Sequence, residues 1–211
     1  MQAVATTRKR TAPKAERQQQ LIQATIRSVA KHGLPDTTMS TVAGEAGLSQ
    51  GIINLHFQSK ERLLVETLRY LADEYTVSWQ KALAAAGDSP AEQLAARVVA
   101  DFKPPVSDRN KLAVWFAFWG ESKSRPTYRK ICADSDHEDR AEITRLCSAI
   151  GEGCDSRTDP GTVAASLSAM TSGLWLELLT RPRSLSREQA RTICMSYLAT
   201  VYPAQFPGAG A

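Results

Sequence analysis

The stretch that most constrains this chain runs from Thr38 to Leu63, TMSTVAGEAGLSQGIINLHFQSKERL. Thr38 can cap a helix whose apolar positions Met39, Val42, Ala43 and Ala46 fall at helical spacing, and Gly47 supplies the left-handed residue that stops it. Ser49 is placed to cap a second short helix at once, with Ile52 and Ile53 facing inward and Gln50, Gly51, Asn54 and His56 on the outer face. Phe57 closes the apolar contact, and Ser59 can cap a much longer helix starting near Lys60. Two short helices joined by a turn containing glycine form a helix-turn-helix, whose second helix fits a DNA major groove.

Charge placement agrees with that reading. Through residue 60 there are eight Lys/Arg against Glu16, Asp36 and Glu45, a local charge of +5, whereas the remainder of the 211 residues sums to −1. Excess positive charge on the reading head is the footprint of a surface that meets phosphates, although Arg8 to Arg10 alone also suit a solvated tail. No window approaches 18 apolar residues and no apolar leader opens the chain, so neither a membrane span nor a membrane partner is expected, and the expected location is the cytoplasm. Cys132, Cys147, Cys154 and Cys194 lack metal-ligand spacing, which leaves reduced and mostly buried thiols, with no metal site and no cofactor.

Residues 1–12 read as a disordered basic arm, 13–59 as the helix-turn-helix domain and 60–205 as a second helical domain. The first helix presents Leu21, Ile22, Ile26, Val29 and Ala30 on one face and ends at Gly33, with Pro35 as breaker. From Lys60 to about Ala86 the apolar residues keep helical spacing long enough to bridge two domains. Ser89-Pro90, Arg125-Pro126, Asp159-Pro160 and Ser186 with Gln189 then mark further helix starts. With no strand pattern, the fold class is all-α with about nine helices.

The run T-x-x-x-V-A-x-x-A-G-L-S-x-G-x-I-x-x-H-F-x-x-K-E-x-L over Thr38–Leu63 resembles the signature of the TetR family of bacterial transcriptional regulators. Trp115–Ser122, WFAFWGES, and Gly173–Glu177, GLWLE, resemble the choline-responsive, betaine-pathway repressor branch. The resemblance implies a homodimer built on the last two helices, a palindromic operator, and release from DNA when a small-molecule effector enters the C-terminal domain. By position it implies that Gln50, Gly51, Asn54 and His56 face the groove, that Thr38, Ser40 and Thr41 meet phosphates, and that Lys60 reaches a phosphate. Many members carry aromatic residues where this chain has Asn54 and Leu55, so the operator is its own.

The chemistry of these residues supports two sites. Gln50 and Asn54, four apart, can each offer an amide to adenine, and Lys60 stands at a helix N-terminus where phosphate is favoured. His56 suits either a phosphate contact or a plain helix end. In the second domain Trp115, Phe118 and Trp119 share a helical arc and Trp175 lies near Glu177 on another helix. Aromatic faces converging with a carboxylate suit a quaternary ammonium ion, and they equally suit ordinary core packing.

Three rival classes remain to be weighed. Scattered histidines and the absence of GxSxG, HExxH and P-loop motifs argue against an enzyme, with no catalytic residues. An architectural DNA-binding protein would not need a large second domain. A ligand-responsive activator shares every feature above with a repressor.

Overall fold

A computed structural model describes residues 13–152 and 158–207. The expected arm over residues 1–12 and Cys154 lie outside the described residues. Within them the chain forms nine helices and no strand: α1 (Lys14–Asp36), α2 (Met39–Ala46), α3 (Gln50–Phe57), α4 (Lys60–Ala85), α5 (Pro90–Asp101), α6 (Arg109–Glu121), α7 (Pro126–Gly151), α8 (Pro160–Thr180) and α9 (Arg187–Val201).

Local chemistry sets most of the boundaries. Thr38 accepts from the Thr41 backbone N–H while the Thr41 hydroxyl accepts from Thr38 N–H, a reciprocal cap that starts α2. Gly47, at φ 63°, turns the chain out of α2, its N–H donating to the Ala43 and Gly44 carbonyls. Ser59, Ser89, Asp108, Asp159 and Ser186 cap their helices by side chain. Ser49 begins α3 without a side-chain cap bond, and the positive φ that ends α3 falls on Gln58 rather than on a glycine. α1 is kinked at Gly33, φ 80°, which lets Leu34 to Asp36 continue past the break.

The buried side chains gather into two clusters. The first joins Leu21, Val29, Val42, Ile53 and Phe57 of α1 to α3 with Leu63 to Ala72 of α4, and extends to Val114, Trp115 and Phe118 of α6 and Tyr128 of α7. The second is built from α5, α7, α8 and α9 around Leu94, Leu146, Leu167, Trp175 and Leu198. The head is therefore seated on α6 as well as extended into α4, and α1 packs broadly along α6. Polar bonds fix α2 on α1: Gln20 donates to the Ala46 carbonyl at 2.9 Å and Arg27 to the Glu45 carbonyl at 2.8 Å, satisfying carbonyls that a helix end leaves free.

The sequence expectation of no long apolar window is qualified by α8, which is long and apolar enough to span a membrane by length and composition. Val163, Ala164, Leu167, Thr171 and Trp175 bury one of its faces, against α6, α7 and α9, while Leu176 stays 45% exposed.

Phe118 is fully buried between the head and α7, its ring edge-on to Tyr128 at a centroid distance of 4.9 Å. Truncation to Ala there is expected to lower unfolding stability by about 3–5 kcal/mol in urea denaturation. A loss below about 1 kcal/mol would mean that the head is not seated on α6 through this residue.

Candidate functional site

The outer face of α3 is small and polar. Gln50, Gly51 and Asn54 are exposed, and beside them Leu55 is 79% exposed, a large apolar side chain left in solvent. His56 is half-buried, and its Nδ1 is covered without a hydrogen-bond partner. Behind this face Ile53 and Phe57 anchor α3 in the head core, so the outer residues ride on a fixed helix. Thr38 and Ser40 are exposed at the start of α2, whereas Thr41 is half-buried, its hydroxyl engaged with Thr38 and, at 2.9 Å, with Ser28. The Lys60 ammonium lies at the C-terminal end of α1, donating to the carbonyls of Pro35 at 3.2 Å and Leu34 at 3.4 Å. An ammonium has three donors, so this position braces α1 against α4 and leaves a donor for solvent or an anion.

A second site lies inside the C-terminal bundle. A cavity of about 500 Å³ opens between α4, α5, α6, α7 and α8. Trp115, Trp119 and Trp175 line it, with Tyr75 from α4. Trp115 and Trp119 lean together at 5.8 Å between ring centroids, and Tyr75 meets Trp175 edge-on at 5.7 Å.

Two expected members do not belong to it. Phe118 is turned toward Tyr128 and the head core, because α1 and α7 cover that side of α6. Glu177 lies two residues past Trp175, just over half a turn around α8, and pairs with Arg181 at 3.2 Å near the surface.

The carboxylates of the cavity come instead from α5 and α7. Arg97, 1% exposed, forms ion pairs with Asp101 and Asp139 and donates to the Tyr75 hydroxyl. Its Nε also reaches Asp139 at 3.1 Å, and the guanidinium carbon stands 5.0 Å from the Tyr75 ring centroid and 6.0 Å from that of Trp79. The Trp175 indole N–H donates to the Asp101 carbonyl at 2.9 Å, tying α8 to α5. A sequence signal for part of this group exists: Arg97 and Asp101 are four apart, interrupting the apolar face of Leu94 and Val98. Asp139, 42 positions from Arg97, gives none.

Electrostatics in this group are strongly perturbed. Burial opposes the Arg97 charge, but Asp101, Tyr75 and Asp139 outweigh it and hold the guanidinium protonated above its ordinary range. Burial pushes the Asp101 carboxyl up, Arg97 draws it back and Asp139 raises it again, leaving it at about 6. Burial likewise pushes the Cys132 thiol up to about 11 and the Cys194 thiol up to about 12, which disfavours their thiolates. Cys132 is buried while His137 is exposed, so the two form no pair.

Comparison with known proteins then decides the family. Residues 90–203 match the BetI-type transcriptional repressor C-terminal family, and residues 21–67 match the tetR family of bacterial regulatory proteins. The HTH-type transcriptional regulator BetI of Burkholderia mallei is 31% identical over 182 residues, 86% of this chain and 91% of that protein. The chain belongs to the TetR family, with a BetI-type C-terminal domain. This DNA-binding transcriptional regulator is also 30% identical to BetI 1 of Chromohalobacter salexigens, over 86% of its own length and 88% of that protein. Among solved structures, a transcriptional regulator from Pseudomonas aeruginosa PAO1 superposes with a TM-score of 0.79 at 27% identity, over 92% of this chain and 93% of that one. A regulator from Saccharomonospora viridis, solved in complex with choline, superposes with a TM-score of 0.76 at 25% identity, over 87% of this chain and 96% of that one.

The Asp101 shift carries a sign. A carboxyl whose folded value exceeds the unfolded one, here about 6 against 3.8, favours folding most below the unfolded value and loses that contribution as pH rises toward 6. Wild-type protein is therefore expected to gain melting temperature relative to Asp101→Asn as pH is lowered from about 7.5 to about 5. A difference that stays constant across that range would place the Asp101 carboxyl outside the buried cluster.

Proposed function

We propose that this regulator is a dimeric repressor that docks two copies of α3 on a palindromic operator and is released when a small cationic effector, such as a quaternary ammonium compound, fills the C-terminal cavity. The observation that carries the effector reading is the cavity itself: about 500 Å³, lined by Trp115, Trp119, Trp175 and Tyr75 beside Asp101, Asp136 and Asp139. Aromatic faces and carboxylates together attract a cation whose hydration shell is weak. The choline bound by the Saccharomonospora viridis relative supports the same ligand class.

On the DNA side, Gln50 and Asn54 read base edges through their amides, and Gly51 lets the α3 backbone approach the groove. Leu55 is positioned to meet a thymine methyl, and His56 to meet a phosphate at the groove edge. Thr38 and Ser40 contact phosphates, with Thr41 holding the start of α2 in place. Lys60 reaches the phosphate backbone with its remaining donor while bracing α1. Dimerisation through α8 and α9 is supported by the apolar residues these helices leave outward, Leu176 and Ile193, at 45% and 43% exposure. Half-sites then need reading heads about 34–36 Å apart, or a multiple of that spacing, and a shift of a few Å breaks simultaneous docking.

The path between the sites runs through shared helices. Trp115 and Trp119 on α6 line the cavity, and Val114 and Phe118 on the same helix support the head. α7 repeats the arrangement: Tyr128 packs in the head core and, at 3.3 Å, donates to Glu61 at the start of α4, while Cys132, Ser135 and Asp139 line the cavity farther along. Any ligand that moves α6 or α7 moves the footing of the reading head, in addition to the path along α4.

The test is a fluorescence-anisotropy titration of the protein on DNA from its own upstream intergenic region, with and without choline or betaine aldehyde. Tight, palindrome-dependent binding that either compound weakens is the expected result, and tight binding indifferent to both would remove this ligand class. On the same operator, Lys60→Ala is expected to weaken all sequences alike and reduce the salt slope by about 1, while Gln50→Ala relaxes base preference at one position per half-site. Identical behaviour of the two variants across an operator library would contradict this division of contacts.

A further inference from the structure

Arg97 is placed as a bound ligand would be. The guanidinium stands over the Tyr75 and Trp79 rings at 5.0 and 6.0 Å, is held by two carboxylates, and borders an open cavity rather than solid core. Two aromatic faces and a carboxylate pair are the elements that recognise a free organic cation. Arg97, Asp101 and Asp139 together carry a formal charge of −1, so the slot favours a positive guest even with its arginine in place.

We propose that Arg97 is the resident cation of the effector cavity, occupying the position on Tyr75, Asp101 and Asp139 that an organic cation takes when the arginine side chain is absent, so that a cationic effector binds by competing with it. The proposal rests on the effector reading of this cavity and adds the residue that sets its selectivity. Competition with a tethered guanidinium excludes weakly attracted cations such as ammonium or potassium, because the guest must replace both the charge and the ring contacts of Arg97. It also supplies a mechanical consequence. Arg97 belongs to α5 and Asp139 to α7, so displacing the guanidinium unties those helices on the cavity wall.

The experiment uses full-length protein and tetramethylammonium chloride as probe, with affinity read by isothermal titration calorimetry and folding by circular dichroism. In Arg97→Ala/Asp101→Asn the formal charge of the slot stays at −1 while the guanidinium is gone, so occupancy alone changes. This variant is expected to bind tetramethylammonium about tenfold more tightly than wild type, or better, as Asp139 and the rings become available. Adding Asp139→Asn removes the charge and is expected to abolish that gain. Should the double variant be unfolded on its own, tetramethylammonium is expected to restore its helical spectrum while leaving the triple variant unchanged. A folded double variant that binds no more tightly than wild type overturns the proposal, as does an unfolded one that the probe does not rescue. A wild type whose operator binding ignores choline, alongside a double variant that gains affinity, would sink the choice of effector and leave Arg97 in this role.

Discussion

Trp115 sits where two interiors meet. It is 5% exposed, packs with the buried residues of α1 to α4 and also lines the cavity of the C-terminal bundle. Close-packed interiors shift between discrete arrangements rather than deforming smoothly, so a side chain shared by a core and a cavity converts occupancy of one into strain on the other. The head is not hung from α4 alone; α6 and the first turns of α7 form its seat. Without that shared packing, a ligand in the second domain would have only the single long helix through which to act.

The buried charges line the wall of the cavity. A group such as Arg97, Asp101 and Asp139 is costly to desolvate, and well-packed apolar residues often serve stability as well or better. On the proposed reading, its position beside an open volume, with Tyr75 and Trp175 bonded into it, serves recognition rather than stability. Asp101, pushed up to about 6 by burial, answers to both Arg97 and Asp139. The proposed effector would therefore meet the same bonds that tie α5 to α7 and α8.

Much of the fold was legible because most boundaries rest on local chemistry. Thr38, Gly47, Ser59, Asp159 and Ser186 start or stop helices by bonds within four residues, and the sequence displays such bonds directly. The reading face of α3 was legible through the family resemblance rather than through periodicity, since Gln50, Ile53, Asn54 and Phe57 fall at i, i+3, i+4 and i+7 within about 100° of arc, and packing against α1, α2 and α4 decides which of them is buried. The cavity was legible only in part. Positions 115, 118 and 119 lie within one arc of a helix, and which edge of that arc meets a void depends on where α1 and α7 lie. Glu177 looked like a countercharge by nearness in sequence, but two residues along a helix is about 200° of rotation. Asp139 could not be paired with Arg97 from spacing, because tertiary packing alone brings them together. At Leu55 the sequence shows only a departure from the aromatic residue many family members carry, and its 79% exposure on the reading helix follows from the packing of α3.

The central claim is that cavity and operator are coupled through α6 and α7, and coupling between two sites must be reciprocal. The direct measurement is the affinity of choline for the free regulator and for the regulator saturated with its operator, by calorimetry under identical salt. The account predicts weaker choline binding on DNA, by the same factor by which choline weakens operator binding. Equal choline affinity in the two states would contradict it, since a ligand that binds both states alike shifts neither.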